Sequence, residues 1–136
     1  MIDHVTLEVS DMAASRAFYE AVLEAVGWHV VADWPDGCGF GIASGGPTFW
    51  LRAGAACGPV HVAFRVSDRE AVRAFHEAAM LAGGRNNGEP GLREYHASYY
   101  GAFALDPDGH NIEAVCHEAV SDEADGDEAE ADETED

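Results

Sequence analysis

The chain has 136 residues, 47% of them hydrophobic and 10% aromatic, enough apolar material for one compact core and too much for a wholly disordered chain. Its 26 acids face 7 basic residues, all arginine, for a net charge of -19, which makes a nucleic-acid backbone or an anionic membrane a poor partner. The sequence shows no apolar run of roughly 18 residues and no basic-then-apolar leader, and its three cysteines form no C-x-x-C pair; the expectation is a cytoplasmic protein with reduced thiols.

Two modules and an acidic tail are expected. Residues 4–21 align without a gap on residues 61–78, His4-Val-Thr-Leu-Glu-Val-Ser-Asp on His61-Val-Ala-Phe-Arg-Val-Ser-Asp, at a constant offset of 57, and about half the aligned pairs are identical. This is a tandem duplication. The first copy covers 1–56 and the second 57–120, the two forming one domain. From Ser121 the sequence SDEADGDEAEADETED has no apolar face and is expected to stay disordered. Without it, 16 acids still outnumber the 7 arginines. A salt-rich cytoplasm or a GC-rich genome would each account for that balance.

Each copy opens with a period-two strand: Val5, Leu7 and Val9 on one face, His4, Thr6 and Glu8 on the other. In the second copy Val62, Phe64 and Val66 oppose His61, Ala63 and Arg65. Ser10-Asp11 and Ser67-Asp68 suit helix N-caps. The helices that follow carry Ala14, Phe18 and Val22, or Ala71, Phe75 and Ala79, on one face, and end at Gly27 and Gly83-Gly84. Three short strands complete each copy: near 28–33, 39–43 and 48–51, then near 84–87, 99–105 and 111–116. The Gly and Pro content of Asn86-Asn87-Gly88-Glu89-Pro90-Gly91 suits a lid. The fold class is α+β: two tandem β-α-β-β-β modules forming a curved mixed sheet with helices outside.

In that fold His4 and His61 line the hollow. Glu113 joins them if its neighbours Ile112 and Ala114 pack on the helix, which brings two imidazoles and a carboxylate together, a recurring set for a divalent metal with open positions.

The double module, the His opening each first strand, and Asp106-Pro107-Asp108-Gly109-His110-Asn111-Ile112-Glu113 resemble the vicinal-oxygen-chelate superfamily. That group holds glyoxalase I, extradiol ring-cleaving dioxygenases, fosfomycin-resistance thiol transferases and metal-free bleomycin-resistance proteins. The resemblance spans residues 1 to about 118. It implies one divalent metal (Fe, Mn, Zn or Ni) held by His4, His61 and Glu113, and a small-molecule substrate bound through two adjacent oxygens. It also leaves open a homodimer, in which His4 and Glu113 of one site come from different chains. Aligning Gly46–Trp50 on Gly109–Glu113 places Trp50 where glyoxalase I supplies a second Glu, ligand and base, so ordinary glyoxalase I activity is not expected. The stretch from His96 through Phe103 to Glu113 resembles the extradiol signature, in which a His serves as acid/base. Phe103 replaces that signature's Tyr, and Tyr95, Tyr99 or Tyr100 could take its part.

Around the expected metal, the candidate catalytic residues are His96, Tyr99 and Tyr100, and the candidate pocket residues are Glu8, Trp50, Arg65 and Phe103. Glu8 and Arg65 either orient a polar substrate or form a structural ion pair. Trp50 supplies an apolar wall, and Cys57 and Cys116 are packing residues. Two functions compete: a metal-dependent lyase, isomerase or dioxygenase, and a metal-free protein that sequesters a small molecule.

Overall fold

The computed structural model describes residues 1–55 and 58–118. The acidic tail, Cys57 and the expected module boundary lie outside them. In chain order the elements are β1 (Val5–Val9), α1 (Met12–Glu24), β2 (His29–Trp34), β3 (Gly37–Gly41), β4 (Phe49–Ala53), β5 (His61–Arg65), α2 (Arg69–Leu81), β6 (Arg85–Leu92), β7 (Tyr100–Leu105) and β8 (Asn111–Cys116). This is the tandem β-α-β-β-β arrangement.

The helices start where short acidic side chains can satisfy free backbone donors. Asp11 accepts from the Ala14 N–H at 3.1 Å, and Asp68 from the Ala71 N–H at 2.8 Å. Gly27 and Gly83 follow the helices at φ 90° and 96°, a region that costs a side-chain-bearing residue strain. The buried stripe of α1 is Ser15, Phe18, Tyr19, Val22 and Leu23, and that of α2 is Arg69, Val72, Phe75, His76 and Ala79. The expected faces are therefore rotated by about one residue, and Ala14 is exposed. Each large apolar side chain buried this way contributes roughly 1.5–3 kcal/mol.

The strands form two four-stranded sheets, ordered β1-β4-β3-β2 and β5-β8-β7-β6. The first strand of each copy pairs in parallel with the last, and the other pairings are antiparallel. Among the described residues no strand joins one sheet to the other: each module contributes one four-stranded mixed sheet and its helix. Residues 86–91 are no lid: they belong to β6 and pair with β7, with register shifts at Asn86/Gly88 and Gly88/Gly91.

The helix-side faces of both sheets share one core. Phe64 of β5 sits 5.1 Å from the Phe49 ring of β4, 5.6 Å from Trp28 and 6.0 Å from Phe75. A polar clamp joins the copies as well. Asp106, 3% exposed, accepts from the Tyr19 hydroxyl and from the backbone N–H groups of Asp108 and His110 at 2.9 and 2.8 Å. Asp108 accepts from the Ser10 N–H at 3.1 Å and from its hydroxyl. Each sheet keeps its other face open, bearing His4 in the first copy and His61 in the second.

Candidate functional site

On the open face of the second sheet, Ala63 of β5 lies opposite Glu113 of β8, and Glu113 lies opposite Phe103 of β7. Because Ile112 and Ala114 point into the core, alternation turns Glu113 the other way. Its carboxyl group is 1% exposed and meets the His61 Nε2 at 2.7 Å. Its second oxygen accepts from the Tyr99 hydroxyl. A carboxyl group so enclosed needs such partners, since burial without them is costly. Gly101 makes room for the contact: a Cβ there would lie 3.3 Å from Glu113 Oε2 and 3.3 Å from the Tyr99 ring.

Aromatic and imidazole rings enclose this cluster. Phe103 lies 6.0 Å from the His61 ring, and the Arg93 guanidinium lies over the Phe103 ring, 5.6 Å from its centroid. Tyr99 meets Tyr95, His96 and His117 edge-on at 4.8, 5.2 and 5.4 Å. His96 and His117 stack at 4.6 Å. Burial and the Glu113 carboxylate push the Tyr99 phenol well above its ordinary range. Desolvation, with Arg65 and His96 adding to it, lowers His117, while Glu113 opposes the shift.

His4, His61 and Glu113 are expected around one cation, within one chain or between two. Among the described residues no group of three or more His, Cys, Asp and Glu side chains is arranged to hold a metal ion. His4 pairs instead with Asp3 at 2.7 Å and lines a hollow on the first sheet with Trp50. The separation of the two sheets is the physical reason. Tyr100 also departs from its expected role: it lies on the helix side of β7, 3% exposed, its ring under Arg69 at 4.8 Å and its oxygen accepting from Arg73 at 3.1 Å. Glu8 pairs not with Arg65 but with Arg52, its cross-strand neighbour, at 2.7 Å. Arg65 is exposed on the second sheet's open face.

His96, Tyr99 and Phe103 thus gather at the His61–Glu113 pair, and Trp50 stays with His4 on the other sheet. Sequence reading passed over His117, although Glu113-x-Val115-x-His117 continues the alternation that turned Glu113 outward. It also missed Trp34, whose side is set by the register shift between Val30 and Ala32, a feature without a sequence signal.

The family profile described as the Glyoxalase/Bleomycin resistance protein/Dioxygenase superfamily matches residues 1–114. The chain belongs to this superfamily. It is similar to a glyoxalase/bleomycin resistance protein from Albidiferax ferrireducens T118, at 29% identity and TM-score 0.73, covering 84% of this chain and 97% of that one. Two further similar structures show the fold. One is a glyoxalase/bleomycin resistance protein/dioxygenase family enzyme from Burkholderia phytofirmans PsJN (22% identity, TM-score 0.67, 86% and 98% covered). The other is a lactoylglutathione lyase from Agrobacterium tumefaciens (18% identity, TM-score 0.65, 85% and 92% covered). No curated protein matches the chain. No helix among the described residues is long and apolar enough to cross a membrane.

Proposed function

We propose that the protein is a divalent-metal-dependent enzyme acting on a small molecule through two adjacent oxygens, its metal site formed between two copies of the chain. The observation carrying this reading is the half-set of donors on the second sheet. A buried carboxylate and a half-exposed imidazole stand 2.7 Å apart on one open face, which fits a divalent ion as two of the three donors such a site uses. Within the chain the third candidate, His4, lies on the other sheet's open face, equally half-exposed. A second copy laying its first sheet over this face would supply His4 to His61 and Glu113.

A bound divalent ion supplies Lewis acidity toward paired substrate oxygens. The chain's own residues set the surroundings. Tyr99, its phenol held protonated, donates a hydrogen bond to Glu113 and fixes one carboxylate oxygen. The stacked His96 and His117 rings stand beside Tyr99, and the lowered His117 offers a neutral imidazole near pH 7 to take a proton from substrate. Phe103 flanks the His61 ring with an apolar surface.

Elemental analysis of the dialysed protein tests the proposal: about one equivalent of divalent metal per chain is expected, and its loss in His61→Ala, Glu113→Gln and His4→Ala. A mixture of His4→Ala and Glu113→Gln chains, unfolded and refolded together, should regain about a quarter of the metal, because half of randomly paired dimers then hold one whole site of two. Metal-free wild-type protein that still binds small molecules would identify a sequestering protein instead, and no recovery in the mixture would place the whole site within one chain.

A further inference from the structure

The open face of the first sheet carries a hollow of about 460 Å³, lined among others by His4, Thr6, Trp34, Pro47, Trp50 and Arg52. Its walls are two indoles with ring centroids 4.9 Å apart and tilted by 40°. Trp34 is 52% exposed, although so large an apolar ring ordinarily finds cover. The floor is built for these rings. Gly39 on β3 turns its missing side chain toward them: a Cβ there would come within 2.8 Å of the Trp50 ring and of Pro47. Gly37, one pleat along, stands opposite Trp34 in the ladder and would bring a Cβ to 3.6 Å from its Nε1 and 2.6 Å from the Leu51 carbonyl. Glycines at both places let the indoles lie close on the backbone while keeping one surface open. Polar groups also line the hollow, Thr6 among them, opposite Trp50 in the β1–β4 ladder. His4 and Asp3 stand together on one part of the lining, and the guanidinium of Arg52, neutralised by Glu8 at 2.7 Å, lies on another.

We infer that this hollow is a stacking subsite for a flat aromatic ring, the body of the substrate whose oxygens reach the metal donors. The inference rests on the proposed function for where the oxygens go, but not for the ring: the two indoles and their glycine floor belong to one chain and need no cation. Two tilted indoles present π-surface and an apolar wall to a planar ligand and offer a saturated ring no comparable stacking. Because Arg52 is already paired with Glu8, the subsite does not depend on a carboxylate or phosphate on the ring. His4 lines the same hollow and, as one of the proposed metal donors, would bring the ion to oxygens carried by the ring.

The test uses catechol and cyclohexane-1,2-diol, which share two adjacent oxygens and differ in the ring, titrated into the metal-free, chelator-treated full chain at millimolar concentration. The readout is the set of indole N–H resonances, three in all for Trp28, Trp34 and Trp50, assigned with single Trp→Phe variants. Catechol is expected to shift the Trp34 and Trp50 signals saturably and leave Trp28 in place, while the saturated diol shifts none. Trp34→Ala should weaken catechol binding by about tenfold, and Trp34→Phe should restore most of it. Equal shifts by both diols, or a catechol isotherm unchanged in Trp34→Ala, would overturn the inference. Since no metal is present, failure here leaves the metal proposal standing, and failure of the metal proposal leaves this result readable.

Discussion

Trp50 and Glu113 hold the same place in the two copies of one module: Trp50 lies opposite Thr6 in the parallel β1–β4 ladder, and Glu113 opposite Ala63, the counterpart of Thr6, in the β5–β8 ladder. At that one place the first open face carries an indole and the second a carboxylate. Exchange at either place should be felt locally. Glu113→Gln removes the charge beside His61 and Tyr99 while keeping the shape, so the folded state should persist and Tyr99 should ionise at lower pH than in wild type. Ultraviolet titration of the phenols, with Tyr99→Phe to identify the signal, checks this.

The clamp between the copies should dominate the effect of polar substitutions on stability. Asp106→Ala strips the partner from the buried Tyr19 hydroxyl and from two backbone N–H groups. A loss of about 3 kcal/mol is expected in urea unfolding. Tyr19→Phe, which leaves Asp106 its backbone donors, should cost less, about 1.5 kcal/mol.

Alkaline pH should loosen the same clamp. Burial, with Asp106 beside it, pushes the Tyr19 phenol well above its ordinary value of 10.0. A folded-state value raised in this way contributes stability that is complete below about pH 10 and declines as pH rises beyond it, because the unfolded chain releases the proton first. Denaturation midpoints measured from pH 8 to 12 should fall above pH 10, and fall less steeply in Tyr19→Phe.

Phe64→Ala should be among the most damaging apolar truncations. Its ring touches Phe49 and Trp28 of the first copy and Phe75 of its own, so the cavity would open where the two copies meet. A cost of about 3–5 kcal/mol is expected, read by chemical denaturation.

Salt should act in the opposite direction. With a net charge of -19, self-repulsion opposes the compact state, and molar potassium chloride screens it within a few ångströms. The thermal midpoint should rise by several degrees between about 0.1 and 2 M salt; a flat response would show that the acidic surface has no bearing on folding.

Much of the fold could be read directly, because duplication doubles each signal. Val5/Leu7/Val9 and Val62/Phe64/Val66 declare their strands, Asp11 and Asp68 their caps, and Gly27 and Gly83 their helix ends. The alternation around Ile112 and Ala114 correctly turned Glu113 onto the open face, and the equivalence of His4 with His61 is real. What periodicity could not convey was whether the two equivalent faces would share one hollow. That depends on how Phe64 meets Phe49 across the copies, a long-range packing choice with no local trace. Tyr100 was misjudged because three tyrosines crowd positions 95–100 and a one-residue change of parity carries a side chain from the open face to the core. Arg52 was missed as the partner of Glu8 because cross-strand register is fixed by pairing, not by spacing along the chain.

The turn before β8 has a history written into it. Asp106 and Asp108 reach back to Tyr19 and Ser10, yet the corresponding positions ahead of β4 are Ala43 and Gly45, which can accept nothing with a side chain. Only one copy of the ancestral unit kept, or acquired, the latch, so the two halves are no longer interchangeable. A chain built from two first halves would lack the latch altogether. One built from two second halves would have the acids and, in Ser67, the same hydroxyl as Ser10, but the imidazole of His76 would stand where the Tyr19 phenol does. The ancestral symmetry survives in the backbone and has been spent in the side chains, which commits this sequence to remaining a pair of unequal parts.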